Sequence, residues 1–305
     1  MSFKTPQETS AAAVVAGVRK ATMSWDRALV GGFLAGAYIA FGSMVAIAVS
    51  SGLDPKTWGT LPTLFTGAVF TLGLVLVVVA GAELLTGNMA LLPIALFRRR
   101  ISIAQLGINW GLVLVGNLLG SLFVAYFLAY KSGVVGAHAD AAGGALTPAG
   151  MEHTRAVAIA TGKALKETDT QIFLRAIGCN WLVCLAVWLG ISAEDIGGKI
   201  LGIFFPITAF VAMGFDHVVA NMFFLPLGHY IGTPGLTWGN VTNNLVWAFL
   251  GNVVGAGVFV AGAYWFLHLR GTDAAAEGQE QSEVYPTAGR ARVGADPSDQ
   301  RHATT

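Results

Sequence analysis

Charge is what this sequence has least of. Only 11% of its 305 residues are Asp, Glu, Lys or Arg, against about 25% in soluble globular chains. With 54% hydrophobic residues, such a chain cannot cover a globule with water-facing side chains, and it reads as a multi-pass membrane protein. The net charge is +1 and no basic block resembles a nucleic-acid patch, so a nucleic-acid partner is not expected. Cysteine is almost missing. Cys179 and Cys184 stand five apart in one apolar segment, on different faces of a helix, so they form no bridge and read as small buried apolar residues. No His or Cys occurs at metal-ligand spacing and no Gly-x-Ser-x-Gly elbow is present, so neither metal, nor cofactor, nor hydrolase chemistry is expected. The first 24 residues lack the apolar core of a secretory signal.

What is present is organised around Gly214 to Pro226, GFDHVVANMFFLP. It sets Asp216, His217 and Asn221 inside an apolar run long enough to cross a bilayer. Ionisable groups at membrane depth are costly and mark ion or proton pathways. The stretch has a twin 133 positions earlier, GAELLTGNMALLP at 81 to 93, with Gly81, Glu83, Asn88, Met89, Leu92 and Pro93 matching Gly214, Asp216, Asn221, Met222, Leu225 and Pro226. Asn109, Gly116-Asn117 and Gly120 recur 135 positions on as Asn244, Gly251-Asn252 and Gly255. The chain is internally duplicated.

Measured against the ~20 residues a helix needs to span, six apolar segments stand out, at about Ala28–Ser50, Leu61–Phe97, Ala104–Tyr130, Ile172–Ile191, Ile200–Tyr230 and Asn240–Leu269. The second and fifth are too long for one straight helix. Each carries its acidic residue, Gly and Asn near the middle, so both are expected to be broken helices, and irregular backbone at that depth must line a cavity or be buried in protein. Two halves of three spans enter the membrane from opposite sides. The expected fold is therefore all-α, six transmembrane helices in a 3+3 inverted repeat, with the site at the repeat interface.

Lys4, Arg19, Lys20 and Arg27 precede the first segment, Arg98, Arg99 and Arg100 follow the second, and Lys199 follows the fourth. By the positive-inside rule both termini lie in the cytoplasm. Residues 1–24 read as an amphipathic helix at the membrane surface, capped by Thr9 or Ser10. Residues 25–270 form the membrane domain, and 271–305 read as a disordered cytoplasmic tail. The segment 131–170 carries Lys131, Arg155, Lys163 and Lys166 outside, with a loop first and a helix from Pro148, an excess of positive charge where an anion would arrive.

His217 has no counterpart in the first copy, where Leu84 stands, so the duplicated scaffold does not itself need a histidine. Glu83 and Asp216 are equivalent, and with Asn88 and Asn221 they read as structural groups at the breaks. Thr86 adds a hydroxyl at the first break. Asn180, among apolar neighbours in CNWLVCLAVW, is either an inter-helix fastener or a pore-lining amide.

Three stretches, AGAELLTGNMALLP at 80–93, CNWLVCLAVW at 179–188 and GFDHVVANMFFLP at 214–226, resemble the formate/nitrite transporters in order and spacing. The resemblance covers about residues 10–270. It implies homopentamers of six-span protomers in an aquaporin-like fold, each with its own pore, in the inner (plasma) membrane. It further implies that His217 is the central pore histidine with Thr86 as partner, that Phe70, Leu74, Leu84 and Phe210 form apolar constrictions, that Asn180 is a pore-side amide, and that Lys163 or Lys166 is the vestibule lysine. The substrate is then formate, nitrite or another small weak acid such as hydrosulfide, lactate or acetate. The Asn-Pro-Ala pairs of a neutral-solute aquaporin are absent. A histidine that titrates near physiological pH could protonate an anion so that the neutral acid passes the constriction.

Overall fold

The computed structural model describes residues 2–136 and 147–272. The Gly/Ala-rich loop expected at 137–146 and nearly all of the tail expected at 271–305 lie outside the described residues. Among those described, the chain is helical, with no β-strand and one isolated bridge, Phe3 to Ala193. Five helical stretches are long and apolar enough to cross a membrane: Trp25–Ser50, Leu61–Gly81, Ile103–Lys131, Asp169–Ser192 and Trp238–Leu269. Two shorter apolar helices, Leu85–Phe97 and Ile196–Ala212, and the helix Val218–Tyr230 complete the bundle.

The second apolar segment is interrupted at 82–84 and the fifth at 213–217. Gly81, at φ +84°, and Gly214, at φ +68°, turn the chain at these points in a conformation that a side chain would strain. Leu85–Phe97 and Val218–Tyr230 then restart as half-helices buried along most of their length.

Small residues let the helices meet. A Cβ on Gly120 would stand 1.9 Å from the Phe33 carbonyl oxygen, and one on Gly255 would stand 2.3 Å from that of Ile177. The glycines four apart thus seat Ile103–Lys131 on Trp25–Ser50, and Trp238–Leu269 on Asp169–Ser192, backbone against backbone.

The N-terminal helix runs Pro6–Ala21, and its cap differs from expectation. Thr5 caps it, and Glu8 answers in a capping box. Pro6 has no N–H to leave unsatisfied and its fixed φ suits the first helical position. Thr9 and Ser10 instead turn their hydroxyls onto the carbonyls of Thr5 and Pro6, at 2.9 and 2.7 Å. The helix is docked rather than loose: Ala13, Val14 and Gly17 are buried, and a Cβ on Gly17 would meet the Leu91 carbonyl. The expected helix from Pro148 is present as Pro148–Thr161, continued by a π-helical turn, Gly162–Lys166.

Candidate functional site

The two breaks are held by matching sets of side chains. At the first, Asn117 Oδ1 accepts from the Leu85 N–H at 2.9 Å, while its Nδ2 donates to the carbonyls of Gly32 (2.8 Å) and Glu83 (2.9 Å). At the second, Asn252 Oδ1 accepts from the Val218 N–H at 2.9 Å, and its Nδ2 donates to Ala176 (2.8 Å) and Asp216 (2.9 Å). Each amide thereby satisfies an otherwise orphaned first-turn donor of a half-helix and ties the loop to a neighbouring span.

The acids are bound in the same way. Glu83 receives Lys20 Nζ at 2.8 Å and Asn88 Nδ2 at 3.0 Å. Asp216 receives Lys163 Nζ at 2.8 Å and Asn221 Nδ2 at 2.9 Å. Asn88 continues to Asn109 and Asn221 to Asn244, and those two amides return to the carbonyls of Lys20 and Lys163, both at 3.0 Å. Burial pushes the Lys20 ammonium down, and the charge of Glu83 opposes that shift. Of the two candidate lysines, Lys163 is the one engaged, whereas Lys166 is exposed.

The breaks differ at one position. Leu84 and His217 cap the half-helices with the same backbone, φ −98°, ψ 122° and φ −102°, ψ 115°, but Leu84 makes no side-chain cap. His217 Nδ1 accepts from the Ala220 N–H at 3.0 Å, and Nε2 lies 2.9 Å from Thr86 Oγ1. An accepting Nδ1 places the proton of the neutral ring on Nε2, which therefore donates to Thr86. The ring stacks 5.9 Å from Phe210, and Phe210 meets Phe70 edge-on at 5.8 Å.

A cavity of about 220 Å³ is lined by Arg155, Lys163 and Arg175 together with Phe70, Phe210 and His217. It brings together four of the eight expected pathway residues. Leu74 and Leu84 are buried in the core and are not among its walls. Thr86, bonded to His217, is not among the walls either. Asn180, fully buried, donates to the carbonyls of Asn252 (2.8 Å) and Thr86 (3.2 Å), fastening helices together and fixing the backbone of Thr86. Cys184 is more than filler, since its thiol reaches the Thr86 carbonyl at 3.3 Å. Glu167, which lines the cavity, carries no signal in the sequence. Among the described residues no cluster of His, Cys, Asp and Glu could hold a metal ion.

Comparison with known proteins adds to this geometry. The profile of the family described as "Formate/nitrite transporter" matches residues 7–266. The "Probable formate transporter" of Methanothermobacter thermautotrophicus is 48% identical over 273 residues, covering 88% of this chain and 98% of that protein. A solved structure titled "FNT family ion channel" superposes with a TM-score of 0.73 at 31% identity, covering 85% of this chain and 98% of its own. A second, "Pentameric formate channel with formate bound", gives 0.68 at 29%, covering 81% and 98%. With the family profile spanning nearly the whole described bundle, and relatives alike along almost their full length, the chain belongs to the formate/nitrite transporter family.

Proposed function

We propose that this chain forms a transmembrane pore for a small monovalent weak-acid anion, formate or nitrite, with His217 assisting substrate protonation. The observation that carries this reading is the cavity: cationic Arg155, Lys163 and Arg175 share it with an apolar Phe70–Phe210 contact and His217. The cations draw in an anion. Passage between the two phenyl rings strips its water, at a cost of many kcal/mol for an ion and far less for a neutral acid. The barrier therefore selects the protonated form.

In this reading His217 acts through its Nε2–H. Turned from Thr86 to the substrate, that donor stabilises the acid as it forms. A charged ring would need a proton on Nδ1 as well, which would set two donors face to face at Ala220, so the neutral ring is the resting form. Leu74 and Leu84 extend the dry stretch beyond the histidine, and Asn180 holds the Thr86 backbone. Glu83, Asn88, Asp216 and Asn221 are structural, keeping the loops shut at the breaks.

The architecture that accompanies this function is six spans in a 3+3 inverted repeat, each half containing one broken helix. The matched bonding of Asn117 and Asn252, and of Lys20–Glu83 and Lys163–Asp216, supports it. Residues 1–24, 25–270 and 271–305 are an N-terminal helix, the pore domain and a tail, with both termini in the cytoplasm and the pore in the plasma membrane. Five protomers assemble, a state supported by the pentameric formate channel to which the chain is similar. Uptake of labelled formate and of nitrite into proteoliposomes tests the function. Entry of at least one, faster in acid, is expected, and rates equal to those of empty vesicles for both would overturn it.

A further inference from the structure

The cavity is lined by a carboxylate that the matched scaffold does not call for. Four residues after Lys163 stands Glu167, whereas four residues after Lys20, in the matching pair, stands Ser24. Glu83 has both oxygens bound, Oε1 and Oε2 to Lys20 and Oε2 also to Asn88. Asp216 has only Oδ1 bound, to Lys163 and Asn221. Its Oδ2 is buried without a donor.

Glu167 is in the mirror situation. One oxygen is held by Arg175, and the other, Oε2, is likewise buried without a donor. Glu167 and Lys163, the lysine that binds Asp216, line the same cavity as Phe215 and His217, the chain neighbours of Asp216, and Asp216 acts on the Glu167 carboxyl as a hydrogen-bonding group. Two neighbouring buried carboxyl groups, each with an oxygen that has no donor, are satisfied together by a single shared proton.

We propose that Glu167 and Asp216 share one proton, and that this acid pair is the store from which an anion entering the cavity is protonated. The inference rests on the weak-acid pore described above. In the transfer, the O–H bond of the Glu167 carboxyl breaks and an O–H bond forms on the anion, giving the neutral acid. The proton shared with Asp216 thus leaves with the substrate. Glu167 is left as a carboxylate between Arg175 and Lys163, and a proton from water refills it. His217, whose ring is held in its neutral form by Ala220, assists by donating from Nε2–H to the acid as it forms.

The surrounding charges set the working range. Glu167 faces Asp216 from the break, Lys163 from the turn Gly162–Lys166 and Arg175 from Asp169–Ser192, with Arg155 and His217 on the same cavity. Burial, then the hydrogen bond and charge of Asp216, push the Glu167 carboxyl up to about 7, against the pull of Lys163 and Arg175. The protonated pair leaves the cavity one unit more positive than the ionised pair. Loading the proton and attracting the anion are therefore the same event.

The test is infrared spectroscopy of the full chain in detergent across neutral pH, beside formate uptake by vesicles at fixed formate concentration. The wild type is expected to show a protonated-carboxyl C=O band that fades as pH rises through about 7, and an uptake rate that levels off once the pair is filled. Glu167→Gln keeps the Arg175 contact and offers an amide N–H to Asp216, so it preserves the packing. It should lose the band and the inflection. A wild type without a titrating band, or a band that survives in Glu167→Gln, overturns the proposal, and the wild-type measurement decides even if the variant is unstable. Should the band behave as expected while neither formate nor nitrite enters, the shared proton stands and the transport reading falls.

Discussion

His217 donates from Nε2 to Thr86 Oγ1 across 2.9 Å, joining the two breaks by a bond between side chains of opposite halves. Because Nδ1 is held by the Ala220 N–H, the same ring caps one half-helix and reaches the other. His217→Ala therefore loses a helix cap, worth about 1 kcal/mol, while His217→Asn keeps one, since Asn is a favoured cap. Thermal unfolding is expected to rank wild type and Asn above Ala. Both variants should lose the Nε2–H donor that the substrate meets and transport more slowly. Wild-type rates in His217→Asn would reduce the histidine to a cap.

Lys163 and Lys166 are three residues apart and should behave in opposite ways. Lys163→Met leaves Asp216, which is fully buried, without its counter-charge, and breaking a buried pair costs about 3–5 kcal/mol. Little folded protein should be recovered at neutral pH. Lys166→Met, at an exposed position, should express and transport like wild type. Equal behaviour of the two in expression and size-exclusion profiles would contradict this assignment.

Gly120→Ala and Gly255→Ala test the close helix crossings. Each Cβ would intrude on a backbone carbonyl, and relief requires two spans to separate, so overpacking of at least 1–3 kcal/mol is expected. Gly107, whose Cβ would meet nothing within 4 Å, is the control. Melting temperatures in one detergent should fall for the first two substitutions and hold for Gly107→Ala.

The Glu167 carboxyl also predicts how stability varies with pH. Its folded value, about 7, lies above the ordinary 4.5, so the folded state binds the extra proton. This contribution to stability is complete below pH 4.5 and is lost as pH rises through about 7. Melting temperature should drop over that window in wild type, and the drop should shrink in Glu167→Gln. A slope of opposite sign attributable to Glu167 would show that its carboxylate is stabilised in the fold.

Much of this was legible because duplicated residues do duplicated work. Glu83 and Asp216, Asn88 and Asn221, Asn109 and Asn244, and Asn117 and Asn252 repeat at offsets of 133 or 135, and the structure gives each pair matching partners, though only Glu83 has both carboxyl oxygens bound. Lys20 and Lys163 were harder to match. They lie 143 apart, outside the two repeated stretches, yet their ammonium groups reach equivalent acids. Asn180 could not be placed from sequence, because fastening and lining both ask for a buried amide and only its acceptors separate them. Glu167 has no counterpart, and its neighbours across the cavity are distant in sequence. The position of the first cap was decided by Pro6 and Glu8, not by the hydroxyls at 9 and 10.

The Asn fasteners also bear on the order in which the chain can be made. Every partner of Asn117 lies between Gly32 and Leu85, and every partner of Asn252 between Ala176 and Val218. Each half closes its own break with residues already synthesised when the fastener arrives, because Asn117 and Asn252 come last among their partners. The first half can thus leave the ribosome and enter the bilayer with its interrupted helix already secured. What remains for the second half is a short list of bonds between halves, Thr86 to His217 and Asn180 to Thr86 among them, so the full set of bonds at the breaks is made only when the whole chain is in place.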